Sequence, residues 1–174
     1  MATGIQVDSL LQAWKRHRDY GKLLVEDLEP AQLVARPLPD MNHAAWIFCH
    51  LGAYFPVIIA LLEKRTFDDP RDHEFGMQSS PVADLAAYPA KEKLIENFLA
   101  GHADVITALN NADDDVFESP QTLERWKQPM PKAGMALSFL MLAHEGIHLG
   151  QLSAWRRALG MPSVYAAGKP LGAK

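Results

Sequence analysis

A chain of 174 residues, 48% hydrophobic and 22% charged, is long enough for one domain with a substantial core, short for two, and too apolar for a disordered one. Seventeen Lys and Arg against twenty-one Asp and Glu leave a net charge of −4, which argues against a nucleic-acid binder, because affinity for phosphate needs a basic face. The single cysteine, Cys49, excludes an intrachain disulfide framework and any multi-cysteine metal centre, and points to a reducing compartment.

The first residues, Met1-Ala-Thr-Gly-Ile-Gln-Val-Asp8, lack a basic stretch followed by an apolar one, and no apolar run is expected to reach bilayer-spanning length. Cytoplasm is the expected location, with no membrane and no nucleic-acid partner. The basic clusters Lys15-Arg16-His17-Arg18 and Arg156-Arg157 read as solvated helix faces.

In chain order, apolar residues at Leu10, Leu11, Trp14, Leu23, Leu24 and Leu28 predict a first helix over about 6–28, closed by Glu29-Pro30. A second helix is expected from an Asn42 N-cap through Trp46, Ile47, His50, Leu51, Tyr54, Val57, Ile58 and Leu61 to about Lys64. Pro56 inside it predicts a kink or a break. The stretch 65–88 has no sustained period, and a connection of that length reads as a candidate lid or as a disordered crossover. Pro89 suits the first turn of a third helix carrying Leu94, Ile95, Phe98, Leu99, Val105, Ile106 and Leu109. After a second irregular stretch, 110–131, a fourth helix is expected over about 132–159, stopped by Gly160 and Pro162. Four amphipathic helices without strands predict an all-α fold, a four-helix bundle with long crossover connections. A single domain is expected, with its core over about 6–163 and an extended C-terminal arm at 164–174.

The chemistry concentrates in the fourth helix, which reads His144-Glu145-Gly-Ile-His148. Two histidines four residues apart share a helix face one turn apart, so both imidazoles can grip one ion. The same five residues spell H-E-x-x-H, the zincin protease signature, in which the glutamate is the general base. That reading needs a third ligand downstream. After His148 the chain has no Asp, Glu, His or Cys at all, and no sheet is expected to back the helix. Upstream, His50 lies in the apolar setting Trp46-Ile-Phe-Cys-His50-Leu. It reads either as a hydrogen-bonded core residue or, if the second and fourth helices face each other, as the third nitrogen.

The His50 segment, the long connection after it, and the final helix His144-Glu-Gly-Ile-His148-Leu-Gly-Gln151-Leu-Ser-Ala-Trp-Arg156-Arg157-Ala-Leu-Gly160-Met-Pro162 together resemble the DinB/YfiT-like superfamily over about 6–163. The resemblance implies a four-helix bundle, frequently a homodimer, with a divalent ion, zinc or nickel, held by His50, His144 and His148. It also implies an enzyme acting on a small molecule, among them transferases and isomerases that use a low-molecular-weight thiol. A three-histidine ion keeps its full charge and can acidify water or hold a thiolate, which suits a hydrolase or a thiol S-transferase. The competing class is a non-catalytic metal-binding stress-response protein.

Around this centre, Glu145 is a candidate base or a solvated helix residue, and Gln151 orients a ligand or satisfies a neighbouring helix. His43, Trp46, His50 and Tyr54 fall on one side of the second helix. Trp46 and Tyr54 are therefore candidate walls of a substrate mouth or core aromatics, and His43 an exposed residue or a ligand. Cys49 points about 100° away from His50 and reads as packing. His17 and His102 show no partner pattern, and His73 sits in an acidic loop.

Overall fold

The computed structural model describes residues 4–165, with side chains from Val7 onward. Four long helices account for the described core: α1 (Gly4–Val25), α2 (Ala44–Leu62), α3 (Lys91–Asn111) and α4 (133–158). No strand occurs among the described residues, only an isolated bridge between Pro120 and Lys132. α3 packs against α1 and α2, and α4 packs against the same two helices, so α1 and α2 face each other across one diagonal and α3 and α4 across the other. The connections α1–α2 and α3–α4 each cross the bundle, as the sequence predicts.

The core is apolar and aromatic. Trp14, Leu24, Ile47, Leu51, Ile58, Phe98, Leu137, Leu152 and Trp155 are all buried. α2 is the central element. It is long and apolar enough to cross a membrane by length and composition, which corrects the expectation that no run reaches that length, but 72% of the window is buried inside the bundle. The helices on either side of it account for its hydropathy.

Several boundaries move for local reasons. α1 ends at Val25, three residues before the expected stop, while Leu28 still packs into the core. The N-cap of α2 is His43, not Asn42: its Nδ1 accepts the Trp46 backbone N–H at 3.3 Å. Pro56 does not break α2, which runs continuously to Leu62. Pro89 precedes α3 instead of entering it, and Ala90 is the cap. Gly160, at φ 76°, supplies the left-handed residue that ends α4. Of the expected C-terminal arm, Val164 is buried and Tyr165 stacks on Tyr20 with ring centroids 5.2 Å apart; the rest lies outside the described residues.

α4 is not uniform. Between the α-helical pieces Ala133–Ser138 and Glu145–Ala158 the backbone runs as a π-helix over Phe139–His144. A π turn takes about one residue more than an α turn, so it shifts the faces of the helix beyond it relative to those before it. Ala136 and Leu137 fill the core before the shift, Leu140 and Met141 within it, and Glu145, His148 and Leu149 beyond it.

Candidate metal centre

The apolar run that forms α2 places His43, Trp46 and His50 along one of its sides, and the 65–88 connection is fastened to that row. His43 Nε2–H donates to the Val82 carbonyl at 2.9 Å, Trp46 Nε1–H to Ser79 Oγ at 3.0 Å, and His50 Nδ1–H to the Phe75 carbonyl at 2.6 Å. The connection is therefore a strap bound to α2 by three polar rungs, neither a free lid nor a disordered crossover. With Nδ1 accepting from Trp46 and Nε2 donating to Val82, both His43 nitrogens are used by a neutral ring. His43 is fully buried, not exposed.

Packing of α2 against α4 brings His50 to the histidine pair. One nitrogen from each of His50, His144 and His148 lies within 4.8 Å of the other two, and the trio could hold a metal ion. His50 Nε2 and His144 Nε2 are 3.0 Å apart. The bond from His50 Nδ1–H to Phe75 leaves Nε2 of that ring as a lone pair. His148 is set the same way, because its Nδ1–H donates to Gln151 Oε1 at 3.1 Å. Gln151 Oε1 also accepts from Asn42 Nδ2–H at 3.4 Å. Without an ion, His144 Nε2–H can donate to the His50 lone pair across the 3.0 Å between them; with His144 in its other tautomer, all three rings offer a lone pair, so the donor set fits a divalent ion.

The surroundings keep the rings neutral. Burial is the largest cause of lowered basicity in all three and, together with the neighbouring histidines, takes His144 to about 3 and His148 to about 4. His50 is lowered as well, partly offset by its bond to the Phe75 carbonyl. Neutral imidazole is the form that coordinates metals. Trp46 stacks on His50 at 4.6 Å, and Tyr54 lies 4.4 Å from His144 and 5.1 Å from His50. Burial raises the Tyr54 phenol above its ordinary value, so it remains an O–H donor.

Sequence reasoning missed what Glu145 does. Its carboxyl is not among the grouped ligand atoms. It points across the core to α3, where Oε1 lies 2.8 Å from His102 Nε2. Both residues are buried, and burial pushes the Glu145 acid well up and the His102 base down to about 2. The two atoms are within hydrogen-bond distance but poorly aligned, and His102 Nδ1 has no partner among the described residues. His17 also enters this region from α1, its ring 3.6 Å from where a Cβ on Gly146 would stand. The one available signal was that four-residue spacing groups His144 with His148 and leaves the residue between them about 100° off that face.

The sequence model of the DinB superfamily matches residues 13–152. The chain belongs to the DinB superfamily. The match spans most of α1, both crossovers and α4 as far as Leu152, so it includes all three clustered histidines. No curated protein matches the chain. Among DinB features expected from the sequence, the helical bundle and the three-histidine cluster are present. Trp46, a candidate substrate wall, is 5% exposed with its N–H taken by Ser79, so it acts as a backing plate for His50.

Proposed function

We propose that this DinB-superfamily protein is a metal-dependent enzyme that holds zinc or nickel through the Nε2 atoms of His50, His144 and His148 and uses it on a small-molecule substrate. The observation that carries this reading is the paired tautomer lock within a cluster whose ligand nitrogens lie within 4.8 Å of one another: the Phe75 carbonyl and Gln151 Oε1 each take an Nδ1–H, leaving Nε2 of His50 and His148 with a lone pair for an ion. An ion bound there supplies Lewis acidity that favours ionisation of water or of a thiol.

Between those two, the thiol is the better match. Glu145 is turned to His102, so no carboxylate base is grouped with the histidines. A thiol ionises near pH 8.5 and needs far less help than water. Thiol S-transfer to an electrophile, from bacillithiol, mycothiol or glutathione, is therefore placed ahead of hydrolysis. In this reading Tyr54 donates its phenol O–H to the substrate, since its ring flanks two of the three histidines. Gln151 holds His148 in register. A homodimer in the cytoplasm is the expected setting, the dimer to be checked by light scattering.

The same turned-away glutamate also favours a second reading, in which the ion only fastens α2 to α4 and no reaction follows. Metal analysis of purified protein, followed by a thiol-transfer screen, separates them. We expect about one ion per chain in the parent and loss of it in His50→Ala and His148→Ala. Unchanged metal content in His50→Ala would remove the three-histidine site. Bound metal with no turnover of any thiol or hydrolytic substrate would leave only the fastening role.

A further inference from the structure

On another side of α2, an open groove of about 990 Å³ runs between α2 and α3 and is flanked by the 65–75 segment. Its volume is at the upper end of the range for small-molecule sites. Phe48, Phe55 and Phe98 contribute to its apolar lining. It stays open because the residues lining its length are small: Gly52, Ala53 and Ala60 on α2, and Ala100 and Gly101 on α3.

Gly52 is the informative one. A glycine in a helix interior costs about 1 kcal/mol relative to alanine. Gly101 has a steric reason, since a Cβ there would lie 2.0 Å from the Phe55 ring, whereas a Cβ on Gly52 would meet nothing within 4 Å. Nothing inside the fold requires Gly52 to lack a side chain, and what a side chain would do is fill the groove. Pro56, one turn on and also in the lining, has no N–H to offer the Gly52 carbonyl, so a backbone acceptor is left available beside it.

The rim gives the charge of the ligand. Four aspartates line the groove, at 68, 69, 72 and 104, against Arg65 and His73. Asp69 is held by Arg125 through two bonds of 2.6 and 2.7 Å, Asp72 lies 3.5 Å from Arg71, and Arg65 is bound to Glu63 at 2.6 Å. Asp68 and Asp104 have no ion-pair partner among the described residues, so the uncompensated charge facing the groove is negative.

We propose that this groove is a second ligand site, separate from the histidine cluster, that binds an organic cation. An aromatic or alkyl body lies on the phenylalanine floor, and an ammonium group faces the carboxylates of Asp68 and Asp104. The site takes no part in the metal chemistry, and His148 does not line it.

The test is fluorescence titration of the full chain with two naphthalene probes of opposite charge, dansylcadaverine as the ammonium and 1-anilinonaphthalene-8-sulfonate as the anion. Saturable binding of dansylcadaverine is expected, roughly tenfold tighter than the sulfonate, a ratio equivalent to about 1.4 kcal/mol of charge preference at two exposed carboxylates. Asp68→Asn combined with Asp104→Asn should reduce dansylcadaverine affinity by about the same factor. Gly52→Leu should abolish binding while the far-ultraviolet circular dichroism is unchanged, and His148→Ala should bind as the parent does. Equal binding of the two probes, undiminished binding by folded Gly52→Leu, or loss of binding in folded His148→Ala would each overturn the proposal.

Discussion

Glu145 Oε1 stands 2.8 Å from His102 Nε2, joining α4 to α3 across the diagonal of the bundle at the level of the histidine cluster. A neutral acid beside a neutral imidazole carries the same number of protons as a carboxylate beside an imidazolium, so the pair keeps zero net charge either way.

That count sets a pH profile. Glu145 has its folded value raised above the ordinary 4.5, so its contribution is complete below pH 4.5 and declines as pH rises. His102 has its folded value lowered from 6.5 to about 2, so its contribution is complete above pH 6.5 and declines as pH falls. Between 4.5 and 6.5 the two slopes cancel. In chelator-treated protein, the stability of the parent relative to Glu145→Leu/His102→Phe should be flat in that window. It should fall on either side, by up to about 1.4 kcal/mol per pH unit. Urea midpoints from pH 4 to 8 measure it, and a monotonic difference curve would contradict a neutral pair.

Gln151 acts through His148. Removing the acceptor in Gln151→Ala frees the imidazole to rotate and to change tautomer, and such outer partners are worth about 10- to 100-fold in metal affinity. Competition with a chromogenic chelator should show that loss while the melting temperature of the metal-free protein stays within about 2 °C of the parent, because Gln151 is exposed.

Gly101 is a packing requirement of the α2–α3 interface. In Gly101→Ala the new methyl would stand 2.0 Å from Phe55 Cδ2, and the displaced ring should cost about 1–3 kcal/mol. Chemical denaturation gives the value, and an unchanged midpoint would mean that α2 and α3 separate at little cost.

Cys49 is predicted to be inert. Burial, aided by the Glu74 charge, raises its thiol to about 12. Alkylation by iodoacetamide at pH 8 should run on the order of a hundredfold or more slower than for free cysteine, and recover in urea.

Fold class was legible because it rests on local pattern. The apolar positions of α1 and α3, the proline-bearing connections and the Gly160 stop each act within a few residues, and each appears close to its expected place. The His43 cap escaped notice because a side-chain acceptor is visible only once the Trp46 N–H it serves has been positioned. The strap was illegible for a different reason: its rungs at Phe75, Ser79 and Val82 use two backbone carbonyls and a hydroxyl, which carry no signature in a sequence.

The spacing of His144 and His148 by itself determined that two imidazoles share a helix face, because four residues of helix allow no other outcome. Tertiary structure alone decided the remainder. His50 reaches His144 across 94 residues of chain because α2 packs against α4. Glu145 leaves the cluster for His102 because the helix geometry that groups the histidines turns the residue between them into the core, where the diagonal helix brings an imidazole to 2.8 Å.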